Sequence, residues 1–399
     1  MDPLDITAAT LVCAMGRGLD EVAAALRAEK SGLRPNDLPW LDVDTHIGRV
    51  DGLEDLSFPA ALSEYDCRNN RLAQMGLASD GFADHVAAAS ARYGAHRIAV
   101  VLGTSTSGIR QTEAAYEARD PASGALPDGF HLKETHDYFS LADFVRLALK
   151  LTGPAAVVST ACSSSSRAFI DAARLIGADL CDAAVVGGVD TLCRLTVRGF
   201  KALELLDARP CRPNDRSRAG ISIGEAAGFV LIERPDQSEP SNPPYLRLLG
   251  FGESSDGYHM SAPNPDGLGA QLAMREALRR SHLTADQIDY VNLHGTGTPL
   301  NDRAEDVAVS AVLGRDVPAS STKGGTGHTL GAAGVTGVLL AGLGIRHGIK
   351  PKNLNIEAVD PDFKSHVLTS TQIGPVRHVL ANAFGFGGSN CSIVLGAAA

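Results

Sequence analysis

The stretch that decides the fold is Ala155-Ala-Val-Val-Ser-Thr-Ala-Cys162-Ser-Ser-Ser-Ser166, in which an apolar run leads into a cysteine and four serines. Short apolar runs of this kind predict strands that are buried on both faces. The residues that follow place apolar side chains at helical spacing, and the serines can cap the first backbone N–H groups. Cys162 is therefore predicted at a strand-to-helix turn, where the helix dipole favours the thiolate. The alternative is a small buried apolar residue, as many free cysteines are.

Similar alternations of apolar runs and alanine-rich helical patterns extend outward in both directions. The runs predicted as strands include 98–102, 183–186, 229–232 and 290–293. This alternation predicts an α/β protein in which helices cover central sheets. The polar, proline-rich segment 234–244 predicts a linker between an N-terminal half, 1–240, and a C-terminal half, 241–399. Each half carries a strand-to-helix junction, so we expect a pseudo-duplicated architecture.

Composition narrows the classes of partner and compartment. The chain has 399 residues, a formal net charge of −10 and seven cysteines. Nucleic acid is not expected as a partner, because phosphate binding needs a basic face, whereas a local basic patch for an acidic protein is compatible with this charge. The cysteines form no CxxC pair, which predicts neither a disulfide framework nor a zinc site and favours the cytoplasm. No signal peptide is recognisable, and the apolar stretch 335–345 is too short to cross a bilayer, so no membrane insertion is expected.

A first histidine follows a predicted strand directly. His294 opens the segment His-Gly-Thr-Gly-Thr at the end of the run 290–293. Side chains at the carboxyl ends of strands point into the crevice where α/β folds bind ligands. Asp302 and Glu305 follow in the first turn of the next predicted helix, a favourable place for carboxylates. A lone histidine here would more commonly bond local backbone, so the prediction depends on its combination with the other motifs.

A second histidine and two phenylalanines lie in glycine-rich segments. His328 follows Lys323-Gly-Gly-Thr-Gly, and a lysine and a histidine beside such a turn suit stabilisation of a developing oxyanion. Phe384 and Phe386 lie in Phe-Gly-Phe-Gly-Gly, where the glycines permit unusual backbone angles and the rings can shield or gate an apolar pocket. A cysteine with histidines is a standard pairing for covalent acyl chemistry.

Together these motifs resemble those of the β-ketoacyl-acyl carrier protein synthases, of the elongating type that uses a Cys-His-His triad. The motifs that carry the resemblance are Thr-Ala-Cys-Ser-Ser-Ser at Cys162, His-Gly-Thr-Gly-Thr at His294, Lys323 with Gly-His-Thr-Leu-Gly-Ala-Ala-Gly at His328, Phe-Gly-Phe-Gly-Gly from Phe384, the segment 212–228 that begins Arg-Pro-Asn-Asp, and the pair Gly199-Phe200. The likeness extends over nearly the whole chain, from Gly16 to Gly396.

The resemblance implies a thiolase-like fold of five layers, α-β-α-β-α, built from two similar halves. It implies a homodimer, or a heterodimer with a related subunit. The implied enzyme is a 3-oxoacyl-acyl carrier protein synthase, an acyltransferase. It would condense an acyl group held on Cys162 with malonyl-acyl carrier protein, with loss of carbon dioxide, in fatty acid, aryl-polyene or polyketide biosynthesis. No cofactor and no metal are expected, because the carrier thioester supplies the activation.

The resemblance also assigns roles to side chains of this chain. Cys162 is implied as the nucleophile, and neutral His294 and His328 as hydrogen-bond donors to the malonyl thioester oxygen. Lys323 would tune the field, and the backbone N–H groups of Cys162 and Phe386 would form the oxyanion hole. The remaining implied site residues are Phe386 and Phe384 as a gate, Thr296, Thr298, Asp302 and Glu305 as supporting residues, and Thr106 and Phe200 in the acyl pocket.

Four departures from the family pattern are visible. They are Cys13-Ala-Met-Gly16 at the early glycine-rich start, Asn214 in place of an aromatic residue, Gly337 where many fatty-acid members carry glutamate, and Thr106 where an apolar residue or glycine is common. These departures are compatible with specialised fatty-acid, aryl-polyene or polyketide synthesis.

Two other functions are alternatives to condensation. A thiolase-like enzyme would act on coenzyme A thioesters without decarboxylation, but thiolases use a second cysteine as base, which this pattern lacks. A subunit that only determines chain length would lack the nucleophilic cysteine, which this chain retains.

Because carrier proteins in this family are acidic, docking requires a positive surface near the pocket, for which Arg68 and Arg71 are predicted. The alternative is that both are ordinary solvated charges.

Overall fold

The structure, a computed structural model, describes residues 1–235 and 244–398. Residues 236–243, most of the predicted linker and the predicted domain boundary, lie outside the described residues. In the described ranges the strands are β1 (Leu4–Cys13), β2 (Gly16–Arg17), β3 (Arg34–Pro35), β4 (His46–Gly48), β5 (Ile98–Gly103), β6 (Ala155–Val158), β7 (Ala183–Asp190), β8 (Ile223–Gly224), β9 (Ala226–Glu233), β10 (Leu246–Ser255), β11 (Tyr290–Asn292), β12 (Pro318–Ser320), β13 (Ile349–Lys350), β14 (His366–Val367), β15 (Gln372–Ile373), β16 (His378–Gly385) and β17 (Ser389–Gly396).

Helices alternate with these strands, as the sequence predicts. In the described ranges they are α1 (Leu19–Arg27), α2 (Arg68–Leu77), α3 (Phe82–Tyr93), α4 (Ile109–Glu117), α5 (Leu132–Thr135), α6 (Phe139–Ala148), α7 (Ser164–Gly177), α8 (Arg194–Ala202), α9 (Leu268–Ser281), α10 (Pro299–Leu313), α11 (Lys323–Thr326) and α12 (Ala333–His347). Short turns of 3-10 helix lie at Ala60–Tyr65, Ala95–Arg97, Ala161–Ser163, Ala285–Gln287, Leu330–Ala332 and Phe386–Gly388.

The main sheet repeats one order of five strands. Its path is β14-β12-β11-β16-β17-β10-β1-β9-β7-β5-β6. Counted outward from the β1–β10 contact, the first half runs β1-β9-β7-β5-β6 and the second β10-β17-β16-β11-β12. In each half the three outer strands are parallel and the two inner strands antiparallel. The two halves meet through three residue pairs at the start of β1, so the predicted pseudo-duplication is present in the strand order.

The helices form three layers around the two half-sheets. α7 and α12 pack against each other, and their apolar residues, among them Phe169 and Leu339, belong to the central buried cluster. α2, α3 and α6 cover the first half-sheet around Phe82 and Phe144, and α9 and α10 cover the second around Met274. The predicted α-β-α-β-α layering is confirmed.

One described segment, Leu330–His347, is long and apolar enough to cross a membrane. Of this segment, 78% is buried inside the protein, because it contains the central helix α12.

The N-terminus of α7 approaches the first half-sheet closely. A Cβ on Gly103, the last residue of β5, would lie 2.3 Å from the Ser165 nitrogen. Only glycine therefore lets the start of α7, and with it Cys162, lie against the end of β5.

Candidate active site

Cys162 lies in a strained turn between β6 and α7. Ala161, the residue before it, has φ +52°, in the left-handed region that costs a residue with a Cβ about 1–3 kcal/mol. The Ala161 carbonyl accepts hydrogen bonds from the hydroxyls of Ser164, at 2.5 Å, and Ser105, at 3.2 Å. The serines therefore stabilise the turn, whereas the predicted capping of α7 by a serine side chain is not observed.

Burial dominates the protonation of Cys162. The side chain is 6% exposed, and burial raises the pKa of its thiol to about 11. The charge of Lys323 lowers that pKa, as do hydrogen bonds from the backbone N–H groups of Phe386 and of Cys162 itself. The prediction that the turn favours the thiolate is thus outweighed by desolvation. The same two N–H groups therefore lie close to the sulfur, and their role as an oxyanion hole stays a prediction.

His294 and His328 lie side by side in neutral form. Their ring centroids are 5.4 Å apart at an interplanar angle of 84°. Burial, and then the charge of Lys323, lower the pKa of both rings well below the usual range. The Leu330 N–H donates to His328 Nδ1 at 3.1 Å, which leaves the ring proton on Nε2. His294 Nδ1 is buried and has no hydrogen-bond partner among the described residues. Neutral rings of this kind can donate to a developing oxyanion.

Hydrogen bonds with Lys323 and Glu305 hold the backbone at His294 in place. Lys323 Nζ donates to the His294 carbonyl. The Glu305 carboxylate accepts from the N–H groups of His294, at 2.8 Å, and Gly295, at 2.7 Å. Burial lowers the pKa of Lys323, and Glu305 is the largest influence that opposes this change. The Glu305 carboxylate therefore lies near the Lys323 ammonium group. Position 337, where many fatty-acid members of the family carry a glutamate, is a glycine in this chain and supplies no carboxylate.

The glycine-rich loop from Phe384 borders the same site. The Phe384 ring lies 5.8 Å from the His294 ring, and the Phe386 ring lies 5.7 Å from that of Phe200. Phe386 is 36% exposed, and it precedes Gly387 and Gly388, whose φ angles of +83° and +80° suit glycine. Both rings line the cleft that contains Cys162, which is compatible with the predicted gate.

Thr296, Thr298 and Asp302 support the His294 loop. The two threonine hydroxyls share a hydrogen bond of 2.8 Å, and both residues line the cleft. Asp302 is fully buried and accepts from the N–H groups of Asn214, at 2.9 Å, and Gly297, at 3.1 Å. Burial raises the pKa of Asp302. Asp302 thus holds the loop and does not reach the cleft.

The site opens into one cleft with a volume of about 820 Å³. Cys162, His294 and His328 lie on its wall with Phe200, as predicted from the motifs. Leu205 and Ile221 also line it, but no pattern in the sequence marks them, because they lie in irregular segments without hydrophobic periodicity. Asn382 donates to Glu305 at 3.1 Å, a role that no local pattern in the sequence indicates.

The placement of Thr106 does not support its prediction as an acyl-pocket residue. Thr106 is fully buried and does not line the cleft. Its hydroxyl donates to the Asp190 carboxylate at 2.7 Å, so its polar side chain satisfies a buried charge rather than contacting an acyl chain.

Arg68 and Arg71, the residues predicted to dock a carrier protein, instead form hydrogen bonds within this chain. The Arg68 guanidinium donates twice to the buried Glu225 carboxylate, at 2.6 and 2.8 Å. Arg71 donates to both oxygens of Asp66 and to the backbone carbonyls of Leu53 and Glu54. Neither arginine lines the cleft. Their charges are neutralised within the chain, so this placement does not support the docking prediction.

The buried Glu305 makes stability depend on pH. Burial raises the pKa of Glu305 from 4.5 to about 7, so the folded state holds its proton more tightly than the unfolded state. Glu305 is therefore expected to lower stability by on the order of 3 kcal/mol as pH rises from 4.5 to 7, whereas His294 and His328, whose pKa values are lowered in the folded state, raise stability over the same range. Glu305→Gln should remove the Glu305 contribution alone, so the stability of the wild type relative to this variant should fall as pH rises, which chemical denaturation at several pH values measures.

The control for this experiment is Glu276→Gln. Arg279 lowers the pKa of Glu276 to about 2, so its stabilising contribution is lost only as pH falls from 4.5 towards 2. The Glu276 variant should therefore parallel the wild type between pH 5 and pH 7.5. A Glu305→Gln profile that also parallels the wild type over this range would contradict the assignment.

Comparison with known proteins agrees with this site. The family model described as beta-ketoacyl synthase, N-terminal domain, matches residues 1–238, and the C-terminal domain matches residues 245–357. A 3-oxoacyl-[acyl-carrier-protein] synthase 2 from Vibrio harveyi is 31% identical over 98% of this chain and 97% of its own length. A mitochondrial 3-oxoacyl-[acyl-carrier-protein] synthase from Arabidopsis thaliana is 38% identical over 61% of this chain, a match that spans 56% of the relative.

Among solved structures, a ketosynthase in complex with its chain length factor from Xenorhabdus doucetiae is similar over 100% of this chain and 98% of its own, with a TM-score of 0.89 and 38% identity. The fold and the Cys-His-His cleft therefore define a condensing enzyme of the thiolase-fold class. The chain belongs to the β-ketoacyl synthase family.

Proposed function

We propose that this protein is a β-ketoacyl-acyl carrier protein synthase that carries out decarboxylative condensation. The observation that carries the proposal is the convergence of the Cys162 sulfur, two backbone N–H groups and two neutral histidines on one cleft. A nucleophile beside an oxyanion hole suits acyl transfer, and a separate pair of neutral donors suits an enolate.

The chemistry follows in two stages. The Cys162 sulfur attacks the carbonyl carbon of an acyl carrier thioester, and the carrier thiol leaves with the proton. A malonyl carrier thioester then loses carbon dioxide, and the electron pair of the broken bond forms an enolate. His294 and His328 stabilise the enolate oxygen by hydrogen bonds. The enolate carbon attacks the acyl-Cys162 carbonyl, the Cys162 thiolate leaves, and a β-ketoacyl carrier two carbons longer is released.

The experiment supplies an acyl carrier protein thioester and malonyl carrier protein to the purified chain. The proposal predicts a β-ketoacyl carrier and carbon dioxide in equal amounts. Product from acetyl-coenzyme A alone, without a malonyl donor, would support the thiolase-like alternative. Absence of acyl transfer to Cys162 with any acyl carrier would support a subunit that only determines chain length.

A second subunit of the same fold is the proposed structural partner. β6 ends the path of the main sheet, and its residues are partly exposed. Tyr138, Phe139 and Leu147, in and beside the neighbouring helix α6, are between 42% and 44% exposed. A free edge strand beside apolar side chains favours pairing with another sheet edge. The Xenorhabdus relative, in complex with its chain length factor, supports a related subunit as one choice of partner.

The native mass of the purified chain tests this pairing. A mass twice that of the chain is expected if a second copy is the partner. A monomer that becomes active only with a related subunit would support the heterodimer, and a fully active monomer would contradict both.

A cytoplasmic location is also proposed, supported by seven cysteines that are all buried free thiols.

A further inference from the structure

Asp190 is a fully buried carboxylate at the end of β7 that the proposed chemistry does not use. In the described part of the chain, its hydrogen bonds all come from neutral donors. The donors are the Thr104 hydroxyl at 2.6 Å, the Thr106 hydroxyl at 2.7 Å, the Thr106 N–H at 2.8 Å, the Ser105 N–H at 2.9 Å and the Gly331 N–H. Each of these groups donates to the carboxylate, so the hydrogen bonds favour its ionised form and oppose the burial that raises the pKa of Asp190.

The first connection from Asp190 leads to the nucleophile. Asp190 holds the Ser105 N–H, and the Ser105 hydroxyl donates to the Ala161 carbonyl at 3.2 Å. Ala161 immediately precedes Cys162 and has the left-handed φ of +52°. One hydrogen-bonded residue therefore separates Asp190 from the strained turn that aims the Cys162 sulfur.

The second connection leads to His328. Asp190 accepts from the Gly331 N–H, and the preceding residue, Leu330, donates its own N–H to His328 Nδ1 at 3.1 Å. Leu330 also has φ +52°. A Cβ on Gly331 would lie 2.7 Å from Asp190 Oδ2, so the loop reaches the carboxylate only because this residue is glycine. The His328 tautomer thus depends on a turn that Asp190 fixes.

Strained residues of this kind persist only when their surroundings hold them. Ala161 and Leu330 belong to different halves of the chain. Asp190 accepts hydrogen bonds from Ser105, which contacts Ala161, and from Gly331, which follows Leu330. We propose that Asp190 is a positioning residue that fixes the Cys162 turn and the His328 turn in reactive register with each other. This inference rests on the proposed function, because it concerns the two half-reactions that those residues perform.

The test replaces Asp190 by asparagine, which keeps the shape but offers an amide group where an N–H requires an acceptor. Acylation of Cys162 and decarboxylation of malonyl carrier are each expected to fall about 100-fold at saturating substrate, because small misplacements have effects of this size. KM for the carriers should change little, since Asp190 does not line the cleft. A purely stabilising role would lower the unfolding midpoint without changing the rates of the folded enzyme.

Ser105→Ala separates the two connections and serves if Asp190→Asn does not fold. It removes only the hydroxyl that reaches Ala161, so acylation should slow while decarboxylation is retained. The matched control is Glu233→Gln, a buried carboxylate at the far end of β9, which should leave both rates unchanged.

Unchanged rates in folded Asp190→Asn, or equal slowing of both half-reactions in Ser105→Ala, would overturn the inference. A wild-type enzyme that performs neither half-reaction would instead overturn the proposed function, so the two failures are distinguishable.

Discussion

Cys162→Ala is expected to lower condensation by about 10⁴-fold or more while leaving the fold intact, because it removes the atom that carries the acyl group. The loss of one buried sulfur should cost only on the order of 1 kcal/mol of stability. Steady-state condensation and thermal unfolding measure the two effects separately.

The matched control for this variant is Cys391→Ala. Cys391 is also a buried free thiol, but it lies on β17 in the central core and does not line the cleft. It should cost similar stability and leave the rate nearly unchanged. A Cys162→Ala enzyme that still elongates acyl carriers would disprove its role as nucleophile, and loss of the fold would show that Cys162 is a structural residue.

The second large effect is expected at the two histidines. His294→Ala and His328→Ala should each slow malonyl decarboxylation by about 100- to 1,000-fold, the usual effect of removing one oxyanion donor. Acyl loading of Cys162 should slow much less, because the backbone N–H groups of Cys162 and Phe386 serve that step. Single-turnover measurement of carbon dioxide release and of acyl-enzyme formation separates the half-reactions.

His366→Ala is the control for the histidine variants, since His366 is exposed on β14 and does not line the cleft. Its rates should match those of the wild type. Equal losses in loading and decarboxylation after His294→Ala or His328→Ala would show that the proposed division of labour is wrong.

Local pattern was enough to predict where the principal site residues lie. The run into Cys162 and the run into His294 are short, apolar and followed by small residues, so their strand-to-turn character is visible in the sequence. The α/β class and the repeated halves follow from the same alternation. The roles of these residues remain predictions that the variants above test.

Contacts between distant parts of the chain could not be predicted in this way. Arg68 looks like an available surface charge, but its partner Glu225 lies 157 residues away. Thr106 looks like a pocket residue until Asp190, 84 residues later, is placed beside it. The protonation of Cys162 also differs from the prediction, because the helix dipole is a local property whereas burial depends on the whole fold.

The most direct test of the central claim is the intact mass of the protein after incubation with an acyl carrier thioester, without malonyl carrier. Wild-type protein should gain the mass of one acyl group, peptide mapping should place it on Cys162, and subsequent malonyl carrier should remove it. Cys162→Ala should gain no mass. A wild-type protein that forms β-ketoacyl product without ever carrying an acyl group, or that carries it on another residue, would contradict the account.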